Sequence, residues 1–351
     1  MKHRSISGLF LGLACFFFSC VDEITIQLKE ANEVLVVDAW VGNEPEETYI
    51  RVYKTRPFVS SSPQGKESQV KLERIYVERK DGKVFPFYLH KDSLYLSELP
   101  IPLMEGETYR LKFSTLEGDT FESAWETVPP KLESAEITSK AIEKTTLVYS
   151  GPNVIVQTRT FADVQLQVND PGKVVMGYFV ETSGISEQFT SSLQDNCECA
   201  CYLPDPNIYP GMNIRSNQSF LGKTIEYSIG EIPLSSLGRY YVNASVKSLT
   251  EFGYEYLNQV DLQQRNTGSI FDPAPFRVRG NITGESENSP EVLGGFFLFQ
   301  KTSFEKLLYR TQIRTESNNL NHHFEPLVQV VATCRDVFPD ALPEIPKVFN
   351  P

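Results

Sequence analysis

Alternating apolar and polar residues, separated by turn signals, dominate the first 130 residues of the chain. Residues 34–41 are a run of mostly β-branched apolar side chains, which predicts a buried strand. Residues 48–54 and 70–79 alternate and predict half-buried strands, and Asp81-Gly82 is a strong hairpin signal. Because turn signals recur about every 8–12 residues, the pattern predicts an immunoglobulin-like or fibronectin-like sandwich over residues 32–129.

The second half of the chain continues as strands joined by turns. We assign residues 131–345 to a second, β-sandwich-like domain, with a cysteine-rich insertion at residues 190–225. The predicted strands of this domain cover residues 132–137, 146–148, 163–168, 174–182, 224–229, 239–248, 292–300 and 328–332.

One segment of the second half has a helical period. Phe252, Tyr256 and Val260 recur at every fourth position and predict an amphipathic helix over about residues 250–265. The preceding Ser248-Leu249-Thr250-Glu251 has the sequence of a capping box. The pattern as a whole therefore predicts a mainly β chain with one amphipathic helix.

The amino terminus has the pattern of an export signal. A cationic start, Met1-Lys2-His3-Arg4, precedes an apolar run over residues 9–18 that is too short to span a bilayer. The run ends at Ser19-Cys20, and a cysteine after a small residue is the acceptor for lipid in bacterial lipoproteins. We therefore predict a signal peptide at residues 1–19, lipidation of Cys20 by palmitate-type acyl chains, and a tether at residues 20–31. Each buried methylene of such a chain contributes ~0.8 kcal/mol to anchoring.

Two alternatives exist at this terminus. Cys15, after Ala14, is a competing cleavage site, and an ordinary secretory signal would leave Cys20 without lipid. Phe-rich signals that end in Ser-Cys resemble those of Bacteroidetes lipoproteins. In that group, acidic residues after the cysteine, such as Asp22 and Glu23 here, resemble the signal for display on the cell surface. The resemblance implies an outer-membrane lipoprotein that faces outward.

The charge of the chain limits its partners. Its formal net charge is −12 at pH 7, which disfavours binding to nucleic acid or flat contact with an anionic membrane. Hydrophobic residues make up 40% of the chain, enough to form packed cores. Contact with the membrane is therefore expected through the lipid alone.

Several segments carry a family resemblance. They are Val34–Val41, Ser248-Leu249-Thr250 with Tyr254–Leu257, Phe271-Asp272-Pro273-Ala274-Pro275, Arg279-Gly280-Asn281-Ile282 and Val292–Phe297. In this order they resemble the DUF4249 family of Bacteroidetes lipoproteins, over nearly the whole mature chain. Members of that family often occur beside TonB-dependent outer-membrane receptors, which implies an accessory role. The resemblance does not indicate which biochemical activity, if any, the chain has, because the function of the family is unknown. Relatives often carry a Cys-x-x-Cys-like pair near the carboxyl terminus, where this chain has only Cys334.

Four cysteines remain in the mature chain besides Cys20, and they are Cys197, Cys199, Cys201 and Cys334. An exported protein meets an oxidising compartment, so disulfides are the default. Four cysteines allow three pairings. We favour a bridge from the cluster to Cys334, while a Cys197–Cys201 bridge across a turn and a Cys₄ zinc site are the alternatives. Zinc is disfavoured, because only Cys197 and Cys201 have a spacing usual for its ligands.

Sequence motifs for catalysis are missing, and we predict neither catalytic residues nor a cofactor. The chain has no nucleophile elbow, zinc-protease helix, phosphate loop or dinucleotide fingerprint. Trp40 and Trp125 are expected in the core. Tyr202, Tyr209 and Phe220, close to the cysteines, are candidates for an exposed ligand-binding aromatic face.

These observations favour a non-enzymatic surface lipoprotein. We expect an accessory or substrate-binding partner of a TonB-dependent transporter. The alternatives are an adhesive or glycan- or peptide-binding module and, less favoured, a surface hydrolase, which would need a pocket with converging carboxylates.

Overall fold

The computed structural model describes residues 33–55, 68–150, 153–192, 199–265, 277–287, 289–317, 319–320, 322, 324, 327–330 and 333–350. Strands account for most of this part, so the predicted mainly β class is confirmed. The strands in chain order are β1 (Leu35–Gly42), β2 (Tyr49–Lys54), β3 (Ser68–Gln69), β4 (Leu72–Arg79), β5 (Val84–Pro86), β6 (Tyr88–Lys91), β7 (Leu94–Leu96), β8 (Thr108–Thr115), β9 (Thr120–Ser123), β10 (Glu126–Thr127), β11 (Ala135–Ser150), β12 (Asn153–Asn169), β13 (Gly177–Ser191), β14 (Ala200–Asp205), β15 (Asn213–Ser216), β16 (Thr224–Pro233), β17 (Arg239–Leu249), β18 (Ile282–Gly284), β19 (Val292–Tyr309) and β20 (Val328–Gln329). The helices are α1 (Glu251–Arg265) and α2 (Arg310–Glu316), with short 3₁₀ turns at Pro45–Glu47, Cys334–Asp336 and Lys347–Phe349.

An 11-stranded main sheet contains strands from both halves of the chain. Its order is β14-β13-β17-β19-β1-β2-β7-β6, with β15 and β20 paired to β13 and β3 paired to β2. β1 lies inside this sheet, antiparallel to β2 and parallel to β19, with Ala39 opposite both Ile50 and Phe296. Both edges of β1 are therefore paired, and Leu35, Val37, Ala39 and Val41 fill the core on one face, while the alternate residues are half-buried on the other face.

Two smaller sheets cover one face of the main sheet. One has the order β18-β9-β8-β4-β5 with β10 on β8, and the other has the order β11-β12-β16. On β19, Phe296 and Leu298 pack into a core with β4, β8 and β9, while Leu308 packs into a second core with β12 and β16. These β19 positions differ by even numbers, so they point to the same side of the strand. The two cores therefore lie side by side on one face.

The boundary predicted near residue 130 separates two cores but not two sheets. The first core draws on residues 35–128 and is completed by four residues from later in the chain, Ile282, Val292, Phe296 and Leu298. The second core runs from Leu132 to Ile313. Residues 34–55 and 67–351 form one compact unit. Local alternation shows where strands are but not which strands pair, so the shared sheet was not predictable.

Strands β11 and β12 are longer than the pattern predicted. They pair along their whole length, from Ala135 opposite Val168 to Ser150 opposite Asn153. β16 pairs only with residues 161–169 of β12, so the far part of the hairpin is a two-stranded ribbon. Residues 143–145 of this ribbon are polar, whereas Leu147, Val154, Ile155 and Val156 nearer its end are apolar and exposed.

Helix α1 lies on the opposite face of the main sheet and confirms the predicted helix at 250–265. Its start differs from the predicted capping box. The hydroxyl of Thr250 accepts a hydrogen bond from the Gly253 amide at 3.1 Å, so Thr250 is the capping residue. Ser248 is still part of β17 and is fully buried. The second helix, α2, was not predicted, because seven residues are too few to show a helical period.

A disulfide joins Cys201 in β14 to Cys334, with 5.4 Å between the two Cα atoms. The favoured bridge from the cysteine cluster to the carboxyl-terminal cysteine is therefore confirmed. The bridge closes a loop of 133 residues, which contributes about 4–5 kcal/mol in the chain-entropy model. It holds the carboxyl-terminal segment against the edge of the main sheet.

Candidate functional site

The face of the main sheet opposite the two cores carries an open pocket of about 480 Å³. Its side chains come from β1, β2, β13, β17, β19 and the 3₁₀ turn at Pro45–Glu47, and we call it the acid–aromatic pocket. It is lined by Asp38, Trp40, Glu46, Glu47, Tyr49, Phe179, Glu181, Lys247 and Phe299. Side chains of successive odd and even positions leave a strand on opposite faces, so Asp38 and Trp40 reach this pocket while Val37 and Ala39 fill the core.

Lys247 is the centre of the acid–aromatic pocket. Its ammonium lies 2.9 Å from a carboxylate oxygen of Glu47 and 2.7 Å from one of Glu181. It also lies over three rings, 5.9 Å from the centroid of Trp40, 5.8 Å from that of Phe179 and 5.4 Å from that of Phe299. Burial opposes its charge, but the carboxylates of Glu181 and Glu47 outweigh burial and raise the pKa of Lys247. The side chain therefore stays protonated at neutral pH.

Glu47 joins two lysines. One oxygen is paired with Lys247 and the other with Lys301, whose backbone amide is bound by the Asn43 side chain at 2.6 Å. Burial would raise the pKa of Glu47, but hydrogen bonds from Lys301 and Lys247 lower it. Glu47 therefore stays ionised, and the charges at this end of the pocket are fixed.

Asp38 is held by neutral donors. It accepts hydrogen bonds from the indole N–H of Trp40 at 2.7 Å and from the Tyr49 hydroxyl at 3.2 Å. Burial raises the pKa of Asp38 despite these two hydrogen bonds and the more distant charge of Arg51. Within the described residues, no cation lies within 4 Å of Asp38 or of Glu46. The pocket thus presents two carboxylates without an ion pair.

We expect Asp38→Asn to raise the midpoint of thermal unfolding at pH 7. A pKa raised by folding means that the ionised carboxylate costs stability above the folded pKa, and that this cost is absent below the ordinary value of 3.8. The asparagine carbonyl oxygen accepts from the Trp40 indole and its amide donates to the Tyr49 hydroxyl, so two hydrogen bonds form without the charge. The gain in stability should therefore shrink as the pH falls through the acid range.

Asp81→Asn is the matched control for that measurement. Asp81 is ion-paired with Arg79 at 2.5 Å, and this pair lowers the pKa of Asp81 to about 2. Its stabilisation is present above the ordinary Asp pKa and is lost as the pH falls through the folded value. The control should therefore lose stability at neutral pH. Equal effects of the two substitutions at pH 7 would contradict the assignment.

The segments that carry the family resemblance meet beside the acid–aromatic pocket. β1 pairs with β19, and the Asn281 side chain accepts from the amide of Phe296 at 2.9 Å and donates to its carbonyl at 3.0 Å. The ring of Phe297 lies 4.7 Å from Trp40 and 5.0 Å from Tyr256 of α1. Residues 271–275 lie outside the described residues. Phe297 and Tyr256 therefore pack in series beside Trp40, and Asn281 holds the backbone of β19 next to them.

The residues predicted as a ligand-binding aromatic face lie elsewhere. Tyr202 is buried against Phe349, with 4.9 Å between ring centroids, and Phe220 is buried beside Tyr178. Tyr209 is half-buried. Tyr202 and Phe220 therefore pack inside the protein and do not offer the exposed surface that stacking on a ligand needs.

The predicted cysteine sites are only partly described. Cys20 and Cys197 lie outside the described residues, Cys201 is bonded to Cys334, and Cys199 is disulfide-bonded as well. Among the described residues, no group of three or more His, Cys, Asp or Glu side chains is arranged to hold a metal ion. In the same part of the chain, no helix is long and apolar enough to cross a membrane.

Sequence reasoning missed the acid–aromatic pocket. Trp40 was expected in the core, but it is only half-buried and lines the pocket, while Trp125 is exposed beneath the guanidinium of Arg110 at 4.4 Å. The signal that was available is Asp38, a carboxylate inside an otherwise apolar strand. A charged residue in such a strand is costly unless its face is open or paired.

A comparison with protein families shows a match. The model of a family described as a domain of unknown function, DUF4249, matches residues 21–305. Comparison with curated proteins and with solved structures returns no match. The matched range includes every side chain that lines the acid–aromatic pocket.

Proposed function

The chain belongs to the DUF4249 family, and from that premise we propose that it is a lipid-anchored, non-enzymatic binding protein on the outer face of the outer membrane. In this role it captures a ligand that carries an organic cation in the acid–aromatic pocket. It then acts as an accessory of a TonB-dependent transporter, to which it presents that ligand.

The location rests on the amino-terminal sequence. The cationic start, the short apolar run and Ser19-Cys20 have the order of a lipoprotein signal. Asp22 and Glu23 resemble the surface-display signal of Bacteroidetes lipoproteins. An acidic chain has no attraction for an anionic lipid surface, so the acyl chains on Cys20 supply the attachment.

The proposal that the ligand carries an organic cation rests on one observation. The chain's own ammonium group, on Lys247, lies among three aromatic rings and two carboxylates. Rings and carboxylates in this arrangement are the usual surroundings of a bound organic cation. Asp38 and Glu46 line the remaining open volume and lack an ion pair among the described residues. A second cation therefore has both space and unpaired negative charge.

The same charges support a binding role over a catalytic one. General acid–base catalysis needs a group whose pKa is close to the working pH. The pKa of Lys247 is raised and that of Glu47 is lowered, so each moves away from neutrality, whereas burial raises the pKa of Asp38 towards neutrality. Burial likewise raises the pKa of Tyr49. Lys247, Glu47 and Tyr49 each keep one charge state at neutral pH, which suits the recognition of a ligand with a permanent charge.

The binding test uses the two tryptophans of the chain, Trp40 and Trp125. In a Trp125→Phe background, Trp40 alone reports on the pocket. We expect its fluorescence to change on titration with n-butylammonium or tri-lysine. Glu46→Gln should weaken this binding by about tenfold, which is 1.4 kcal/mol, because it removes an unpaired carboxylate.

The matched control is Glu117→Gln, which removes an exposed carboxylate from a turn outside the pocket and should leave the titration unchanged. Neutral oligosaccharides form a second arm. A response to them without any response to cations would reject the cation pocket and favour the glycan-binding module instead. Equal weakening by both glutamine variants would point to a nonspecific charge effect and would also reject it.

The transporter partnership follows from the neighbours of this family and has its own test. A protein tagged at its carboxyl terminus and extracted in mild detergent should co-purify with a β-barrel transporter. Recovery without any β-barrel partner would count against this part of the proposal and would leave the binding site intact.

A further inference from the structure

A second cavity, of about 320 Å³, lies on the core side of the main sheet near its other end. We call it the arginine pocket. It lies between β12, β13, β14, the β16–β17 connection and α2, and its lining includes Arg159, Ser186, Asp205, Tyr240 and Arg310. Its lining shares no residue with the acid–aromatic pocket.

Arg310 at the base of this pocket is a buried cation, only 2% exposed. Its guanidinium donates to backbone carbonyls, including that of Pro233 at 2.9 Å and that of Gly238 at 2.9 Å. Nη2 has one acceptor, the Ser186 hydroxyl at 2.9 Å. Among the described residues, no carboxylate lies within 4 Å of this guanidinium. One of the two Nη2 hydrogens is therefore left without an acceptor in that part of the chain.

Two acidic side chains lie near this guanidinium, of which Glu187 is ion-paired with Arg239, and Asp205, which lines the pocket itself, is held by an uncharged hydroxyl. Both carboxylate oxygens of Glu187 accept from the Arg239 guanidinium, at 2.7 and 2.8 Å. The Asp205 carboxylate accepts from the Tyr240 hydroxyl at 2.9 Å. Arg310 therefore gains no direct counter-ion from either of them.

A second buried guanidinium increases the positive charge at this end of the sheet. Arg314, one turn further along α2, is 6% exposed and donates to the carbonyls of Leu234 and Ser236. Its Nη2 is buried and has no hydrogen-bond partner. Burial lowers the pKa of both arginines, that of Arg310 to about 10, so both remain charged at neutral pH. Two buried cations without a carboxylate favour the entry of an anion.

The rest of the pocket specifies what kind of anion fits. Arg159 adds an exposed positive charge, and Phe161, Leu203 and Pro204 supply apolar walls. A neighbouring groove shares Gln188, Ser235 and Ser236 with the pocket. Five exposed apolar side chains line that groove, and they are Phe189, Leu237, Phe324, Leu327 and Val328. Contiguous exposed apolar side chains of this kind mark binding surfaces.

We infer that the arginine pocket binds the carboxylate of an organic acid whose apolar body lies in the adjoining groove. The carboxylate accepts a hydrogen bond from the remaining Nη2 hydrogen of Arg310 and is attracted by the positive charge of Arg159. The planar guanidinium makes such hydrogen bonds directional. The same chemistry is offered by a fatty acid and by the carboxyl terminus of an apolar peptide. This site is independent of the cation site proposed above.

The test is isothermal titration calorimetry on the purified chain with two matched pairs of probes. Decanoate is compared with decanol, and N-acetyl-leucyl-phenylalanine with its carboxyl-terminal amide. We expect at least one acid to bind about tenfold or more tightly than its neutral counterpart, and the pair that shows the difference identifies the source of the carboxylate. Neutral probes that bind as well as the acids would overturn the proposal, as would binding of inorganic phosphate without either acid.

Substitutions distinguish an effect on ligand binding in the pocket from an effect on folding. Arg159→Gln removes an exposed charge and should weaken acid binding about three- to tenfold, while Arg277→Gln, which removes an exposed arginine elsewhere, should not. Arg310→Lys removes the planar, directional donor and should also weaken acid binding. If this variant does not fold, Ser186→Ala, which changes the hydroxyl bound to Nη2 of Arg310, tests the same end of the pocket. Loss of binding in Arg277→Gln to the same extent as in Arg159→Gln would contradict the assignment.

Discussion

Gly294→Ala is expected to destabilise the protein by about 2–5 kcal/mol. Gly294 has a φ of +86°, in the left-handed region that disfavours a side chain. A Cβ at this position would lie 2.0 Å from the carbonyl oxygen of Val37. Val37 is the residue paired with Gly294 between β1 and β19. The substitution therefore adds backbone strain and also forces apart the two strands that join the halves of the main sheet.

Gly82→Ala is the control that isolates these two effects. Gly82 has a φ of +92°, but a Cβ there would meet no atom within 4 Å. It should show only the cost of the left-handed conformation, about 1–2 kcal/mol. Both variants are measured by urea unfolding followed by circular dichroism. Equal losses of unfolding free energy in the two variants would show that the close approach of β1 and β19 at Gly294 does not add to the cost of the substitution.

Cys20→Ala is expected to move essentially all of the protein from the membrane fraction to the soluble fraction. Cys20 lies outside the described residues, and the prediction rests on the proposed lipoprotein signal at residues 1–19. Without the thiol no diacylglycerol is added, and the ~0.8 kcal/mol per buried methylene is lost. The remaining acidic body has no electrostatic attraction for the membrane.

Cys15→Ala is the matched control, because Cys15 is the competing cleavage site. This variant should stay in the membrane fraction and should still incorporate labelled palmitate, whereas Cys20→Ala should not. Release of the protein by Cys15→Ala but not by Cys20→Ala would indicate that the lipid is attached at Cys15. Retention of Cys20→Ala in membranes after a high-salt wash would mean that the folded body itself attaches to them.

Local patterns predicted the elements that local forces determine. Alternation over residues 70–79 became β4, and the fourfold period of Phe252 and Tyr256 became α1. The bridge to Cys334 followed from the expected compartment and a count of cysteines. Each of these features depends on neighbouring residues or on simple composition, so a single sequence contains enough information to predict it.

Long-range arrangements were not predictable in the same way. The parallel pairing of β1 with β19 has no local signal, so the sequence predicted two separate sandwiches where the main sheet is shared. The acid–aromatic pocket combines Trp40, Phe179 and Lys247 from three strands far apart in the chain. The two buried arginines of α2 also look like ordinary surface residues in the sequence. Their role depends on which segments pack against them.

The interior position of β1 has a consequence for the order of folding. Leu35 lies opposite Val292, so a strand that is synthesised early waits for one synthesised about 250 residues later before its second edge is paired. Contacts between such distant residues form slowly, since a long loop must close first. Until β19 arrives, one edge of an apolar strand is open to other chains. We therefore expect a slow phase in refolding that ends with this pairing, and a need for a holding chaperone while the nascent chain is incomplete.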